Sequence, residues 1–212
     1  MLTIDRTIDT KTIEQNTPEW LAARLGHITA SSMDDVMAKG RSGEAATRAK
    51  YKIKLLTERI TGQQGQESFS NAAMEWGKQQ EPFAAIAYEM RKGVLLDKTG
   101  FWRHPTIDWL GVSPDRISGN SLVEIKCPNS TTHISWLLAG EMPSEYIKQV
   151  QAQLWVCEKE YCDFVSFDPR LPEKNQLFIV KVERDEKLIK EMETEVKKFL
   201  SEIDDLIIKL EG

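Results

Sequence analysis

Ser113-Pro114-Asp115 and, shortly after it, Leu122-Val123-Glu124-Ile125-Lys126 form the stretch on which the reading of this chain turns. Alternate side chains of a strand share a face, so Glu124 and Lys126 project together while Val123 and Ile125 point the other way into apolar packing. Asp115 is expected to end the preceding strand. A hairpin through residues 116–121 would lay the two strands side by side and bring the Asp115 and Glu124 carboxylates together. Two such groups repel and resist joint ionisation unless a cation lies between them. Oxygen-only ligands favour Mg²⁺ or Mn²⁺ over zinc, and Mg²⁺ keeps several waters that can become nucleophiles. Lys126, on the same face, can orient or deprotonate an attacking water, or neutralise charge developing on a phosphate. Glu81 is a candidate third acid, and Gln149, which shares a helix face with Gln153, is placed to fix the water. An acid followed by an E-x-K strand is the pattern of metal-dependent phosphodiester hydrolysis. The same letters are also an ordinary turn and a half-exposed strand, so the rest of the chain has to decide.

Ahead of this stretch the pattern is helical. Thr17-Pro18-Glu19-Trp20 reads as a helix start with Thr17 as N-cap and Gly26 as the stop, burying Trp20, Leu21 and Leu25. A second helix is expected from Ala30-Ser31-Ser32, carrying Met33, Val36 and Met37 inward; its first turn is either a plain cap or an anion seat. Gly40-Arg41-Ser42-Gly43 is a loop, residues 44–61 a helix ended by Gly62, and residues 63–68 polar. A longer helix spans 71–90, kinked or split by Pro82. The period then changes. Val94-Leu95-Leu96, Gly100-Phe101-Trp102 and Trp109-Leu110-Gly111-Val112 read as consecutive strands of a meandering sheet that includes residues 122–126. Residues 144–156 return to helix, and 164–167 and 177–180 are two more strands. From Asp185 onward Leu188, Met192, Val196, Phe199, Ile203, Leu206 and Leu210 recur every three or four residues, the stripe of an amphipathic helix.

Composition narrows the class. With 212 residues, 41% hydrophobic and 29% charged, the chain is expected to form one globular domain over residues 1–212. No window is long and apolar enough to span a membrane and the start lacks a signal-peptide pattern, so a cytoplasmic location is expected. Cys127, Cys157 and Cys162 form no C-x-x-C pair, which argues against a disulfide scaffold or a structural zinc. A net charge of −5 argues against wrapping nucleic acid over the whole surface but leaves room for a local basic channel. Arg41, Arg48, Lys50, Lys52, Lys54 and Arg59 crowd one segment and residues 183–211 run acidic, so the basic run is either a binding face or a solvated helix face.

The chain resembles the bacteriophage lambda exonuclease and related YqaJ-type viral recombinases, within the PD-(D/E)XK nuclease superfamily. The resemblance is carried, in the family's order, by Ala23-Arg24-Leu25-Gly26-His27-Ile28-Thr29-Ala30-Ser31, Arg41-Ser42-Gly43, Trp76-Gly77-Lys78-Gln79, Ser113-Pro114-Asp115 and Glu124-Ile125-Lys126-Cys127-Pro128. Tyr146-Ile147-Lys148-Gln149-Val150-Gln151, Asp168-Pro169-Arg170 and Glu183-Arg184-Asp185-Glu186-Lys187 continue it. It implies an α/β fold with a restriction-endonuclease-like core, a central mixed sheet flanked by helices. It also implies a Mg²⁺-dependent exonuclease, with two ions and Mn²⁺ as a substitute, that enters a double-strand DNA end and digests the 5′-ended strand to mononucleotides. By the same resemblance Asp115, Glu124, the Ile125 carbonyl and Glu81 hold metal, Lys126 activates the water and Gln149 helps it. Arg24, Ser31 and Ser113 match a pocket for the 5′-terminal phosphate, which suits a guanidinium fork. Arg41 matches a loop residue that reaches the duplex, though the loop after it is shorter here, and Met74 an apolar wedge for the end base pair. A homotrimer ring and a single-strand annealing protein are the implied partners. In a ring, the basic segment would line the hole and the acidic tail would face outward. Some relatives carry another acid about ten residues before the SPD aspartate, a slot that falls near Pro105; Asp108 is the nearest acid. The other readings are a PD-(D/E)XK endonuclease or junction resolvase, which would cut closed circles, and a catalytically silent DNA-end-binding module.

Overall fold

The protein was analysed as a computed structural model, which describes residues 2–65 and 72–212. Thr17 Oγ1 accepts from Trp20 N at 3.2 Å and starts helix α1, Pro18–Arg24, with Pro18 in the first turn as its missing N–H allows. Gly26, at a φ of 73° that a side chain resists, turns the chain into strand β1, Ile28–Thr29. A 3₁₀ turn, Ala30–Ser32, leads into helix α2, Met33–Met37, and α3, Ala46–Thr61, ends at left-handed Gly62. Helix α4 is Ala72–Lys92; the expected start at Asn71 and the end of the polar stretch 63–68 lie outside the described residues.

Five short strands follow: β2, Asp97–Lys98; β3, Trp102–Arg103; β4, Leu110–Val112; β5, Arg116–Ser118; and β6, Ser121–Lys126. Helices α5, Ser130–Ala139, and α6, Ile147–Cys157, precede β7, Tyr161–Phe167, and β8, Leu177–Glu183, and α7, Glu186–Glu211, completes the order. Strands β1, β4 and β3 make one small sheet; the other five form a mixed sheet in the order β2-β5-β6-β7-β8. Within it β6 and β7 run parallel, which requires a crossover, and α5 and α6 provide it.

That central sheet is covered on both faces. On one, Val123, Ile125, Val165 and Phe167 pack against Ala84, Ala85 and Tyr88 of α4. On the other, Leu122 joins Val150 and Leu154 of α6 in a larger core that reaches Val36, Leu55 and the α7 stripe of Met192, Val196, Phe199 and Ile203. All eight residues from Val150 to Cys157 are buried, the polar Gln151 and Gln153 among them.

Several expectations are corrected. Val94-Leu95-Leu96 is not a strand: Leu95 is 85% exposed, and the strand begins only at Asp97. Pro82 does not split α4, because it lies on the exposed side, where water can serve the carbonyl it leaves unbonded. Leu21 is exposed, so the buried side of α1 is Trp20 and Ala23. The sheet is no simple meander, and Asp115 does not end a strand paired with β6. Its predecessor β4 belongs to the smaller sheet, and β6 pairs instead with β5 through the hairpin turn at Gly119. Helix α5 is an addition that the polar Ser130-Thr131-Thr132 start concealed.

The expected division of charge, basic segment inward and acidic tail outward, is also corrected. Packing of the α7 stripe against α3 brings the tail's acids onto the basic run. Glu202 accepts from Arg48 Nη1 at 2.6 Å, Arg48 Nη2 at 3.0 Å and Lys52 Nζ at 2.7 Å, while Glu44 engages the same two cations. Arg59 sits buried with Asp204 at 3.5 Å. Arg48, Lys52 and Arg59 therefore serve the contact between two helices. Among the described residues no helix is long and apolar enough to cross a membrane.

Candidate active site

Period-two alternation in β6 places Val123 and Ile125 under α4 and turns Glu124 toward α6. Glu124 is only 1% exposed, and its carboxylate is gripped from three sides. Lys126 Nζ donates to Oε1 at 2.6 Å, Gln149 Nε2 donates to the same oxygen, and Gln153 Nε2 donates to Oε2 at 2.7 Å. Gln149 and Gln153 are four residues apart on α6, one helical turn, which is why both reach one carboxylate. The Lys126 ammonium also lies 5.0 Å from the centre of the Tyr146 ring.

Asp115 arrives by the hairpin foreseen: β5 and β6 pair with Arg116 opposite Val123, so Asp115, one residue before Arg116, falls beside Glu124. It sits in the turn between β4 and β5, and its Oδ2 accepts from the Ile125 backbone N–H at 2.7 Å. That bond fixes Asp115 beside Glu124 at the open end of the β5–β6 hairpin. Burial, then the charge of Glu124, pushes the Asp115 carboxyl well above its ordinary range; Glu81 adds to this, and Lys126 and the Ile125 amide oppose it. Lys126 itself is driven down by burial, but the Glu124 and Asp115 carboxylates outweigh that and raise it, so it remains an ammonium. The neighbouring Cys127 is pushed up to about 12, chiefly by burial, and remains a thiol. Glu81 stands at the margin of this group: its Oε1 accepts from Arg116 Nη1 at 2.7 Å, and the same Nη1 donates to the Asp115 carbonyl at 2.6 Å.

The donor set suits a hard divalent cation. Two carboxylates forced together by burial, with the Ile125 carbonyl on the strand between them, offer oxygen only. Among the described residues no three His, Cys, Asp or Glu side chains cluster as a cage.

The phosphate-pocket candidates gather around Trp20. Its indole Nε1 donates to Ser113 Oγ at 3.1 Å, and the Arg24 guanidinium stacks on its ring at 3.9 Å. Parallel pairing of β1 with β4 sends Ala30-Ser31 and Val112-Ser113 off the same end of the small sheet. Ser31 Oγ is exposed and 3.4 Å from Thr29 Oγ1. Arg24, Thr29, Ser32, Tyr51 and Lys54 line a cavity of about 100 Å³, and burial lowers the Arg24 pKa. Met74 is exposed in the first part of α4, two turns before Glu81 on the same face. Arg41 is exposed in the loop that the Lys39–Glu44 bridge closes. Asp108 is elsewhere, exposed and held by Arg6.

Two residues of this site were not assigned to it from sequence, Trp20 and Tyr146, and Gln153 entered only as the helix-face partner of Gln149. Trp20 carried a usable signal, its position four residues before Arg24 on one helix.

Known proteins share this fold. Residues 19–160 match the YqaJ-like viral recombinase domain. The crystal structure of an alkaline exonuclease from Laribacter hongkongensis superposes with a TM-score of 0.85 at 45% identity, over 92% of this chain and 96% of that one. The same enzyme in complex with dAMP gives 0.85 at 46% identity over the same shares. An uncharacterized protein of Acanthamoeba polyphaga mimivirus is 28% identical over 72% of this chain, which spans 29% of that protein's length. The mixed sheet flanked by helices is a PD-(D/E)XK-like fold.

Proposed function

The chain belongs to the YqaJ-like viral recombinase domain family, and from that premise we propose that it is a Mg²⁺-dependent DNA exonuclease that digests the 5′-ended strand of a linear duplex to mononucleotides and leaves a 3′ overhang. The convergence of Asp115, Glu124 and Lys126 carries the proposal. The similarity to an alkaline exonuclease crystallised with dAMP supports it, because dAMP is the kind of mononucleotide such a reaction releases.

The residues divide the work by their geometry. Asp115, Glu124 and the Ile125 carbonyl would hold the metal, with Glu81 beside them for a second ion. When bound, Mg²⁺ supplies Lewis acidity at the phosphate and a more acidic water. Lys126, kept protonated between two carboxylates, acts as a fixed ammonium that orients the attacking water and offsets charge growing on the phosphorane oxygens. Gln149 and Gln153 hold Glu124 in one rotamer, so the acid does not have to be ordered when substrate arrives. Arg24 and Ser113, coupled through Trp20, offer a charged fork and a hydroxyl to the 5′-terminal phosphate, with Ser31 nearby. Arg41 and Met74 reach toward the duplex and its end base pair. Assembly as a homotrimer and cooperation with a single-strand annealing protein belong to the same proposal; light scattering and co-purification test them.

The deciding experiment is digestion of a linear duplex labelled at one 5′ end, with and without Mg²⁺, beside a closed circle. Release of labelled mononucleotide from the linear substrate alone, and only with the metal, is the expected result. Cutting of the circle would turn the reading to an endonuclease; no release from any DNA would leave a binding module.

A further inference from the structure

A cleft of about 390 Å³ opens beside the catalytic group, between the segment around Lys11 and Gln15, the Lys78–Pro82 part of α4, and Lys98 on β2. Its cations are Lys11, Lys78, Lys98 and Arg116 and its acids Glu14 and Glu81, an excess of two positive charges on a chain whose net charge is −5. Local positive charge on an acidic protein is what a polyanion selects. The cations come from four separate places in the sequence and are held in register: Gln15 Nε2 donates to Thr99 O at 2.9 Å and to Pro114 O at 2.8 Å, clipping the cleft wall to the SPD turn. Arg116, which lines the cleft, donates to both Glu81 and the Asp115 carbonyl, so cleft and catalytic carboxylates share a wall. Lys98 and Lys78 reach solvent, paired only loosely at 3.9 Å with Glu14 and at 3.4 Å with Glu75, so both ammonium groups are available to a phosphate.

We propose that this cleft is a track for a phosphodiester backbone, and that it holds the uncut strand as it leaves the duplex end. The proposal rests on the DNA-cutting reading of the neighbouring acids. Arg24 and Ser113 already account for the anionic end of the strand being cut, and a second cationic surface against the same acids calls for a second anion. The same phosphate chemistry belongs to the mononucleotide product, and the arms of the test separate the two.

The test is fluorescence anisotropy in metal-free buffer, with wild type and the Lys78→Ala/Lys98→Ala double variant. The probes are a blunt 5′-phosphorylated duplex and one carrying a 3′ single-stranded extension. Both lysines are exposed, so the variant should melt as wild type does. For the extended probe the variant should bind about tenfold more weakly, and its log Kd should depend on log salt less steeply by about 1.5, the value for two lost phosphate contacts. Lys187→Ala, an exposed site on α7, should change neither. Unchanged affinity and slope in the double variant, with wild type binding well, overturns the track and leaves the nuclease reading intact. Failure of wild type to bind any duplex end overturns both. Weaker inhibition by dAMP with unchanged DNA affinity assigns the cleft to the released nucleotide and overturns the strand assignment.

Discussion

Replacing Glu202 with Gln tests whether the acidic tail is held by the basic run of α3. Arg48 has a side chain only 8% exposed, and Glu202, at 28%, takes two of its N–H groups as well as the Lys52 ammonium. Burial raises the Glu202 carboxyl, but hydrogen bonds from Arg48 and Lys52, with their charges, outweigh it and hold the pKa at about 2, against an ordinary 4.5. A difference of that size is worth roughly 3 kcal/mol at 1.36 kcal/mol per unit. Solvent around the carboxylate screens part of it, so about 2 kcal/mol is the expected cost of the substitution. The sign follows from linkage: a lowered carboxylate stabilises the fold fully above its unfolded value and loses that contribution as pH falls from about 4.5 toward about 2. Urea unfolding of wild type and Glu202→Gln should therefore differ by about 2 kcal/mol at pH 7, with the gap closing as the titration is carried below pH 4. A gap under about 0.5 kcal/mol at pH 7, or one that stays constant down the pH series, would refute the assignment.

Asp115→Ala or Glu124→Ala should remove at least 99% of nucleotide release at any Mg²⁺ concentration, a loss of about 100-fold or more, while DNA binding in metal-free buffer persists. Lys126→Ala should lower kcat by roughly 10²–10⁴ with little change in Kd for DNA; a normal kcat would strip Lys126 of its role. Arg24→Ala should reduce the preference for 5′-phosphorylated over 5′-hydroxyl ends by about tenfold, the 1.4 kcal/mol of a charged hydrogen bond, in competition digests. Gly111→Ala would bring a methyl to 2.2 Å from Phe101 Cζ, inside a wholly buried ring. Such overpacking should cost about 1–3 kcal/mol in thermal or urea unfolding.

Local chemistry made much of the fold readable. Thr17 before Pro18, Gly62 after α3 and the stripe of α7 each mark an element by a rule that acts within a few residues. The alternation of β6 likewise places Glu124 and Lys126 on one side before any neighbour is known. What stayed hidden was non-local. The hairpin through 116–121 forms as the spacing suggested and sets Asp115 beside Glu124, but nothing local shows that β4, just before it, pairs in a different sheet. Val94-Leu95-Leu96 has strand-forming residues, yet no partner strand covers it, and propensity yields to context there. The charge asymmetry misled for the same reason: a basic run and an acidic run far apart in the chain become one ion-pair network once two helices pack.

The parallel pairing of β6 with β7 bears on when the acid pair is assembled during synthesis of the chain. A nascent chain that has emerged as far as Lys126 already carries both acids. It lacks the α6 glutamines that clasp Glu124 and the strand that clamps β6 along its length. Those arrive only after the crossover is synthesised and the ends of a long loop have met, a slow and cooperative event. In an unfinished polypeptide Glu124 therefore lacks the contacts that fix it, and the acid pair is set in place only by completion of the fold.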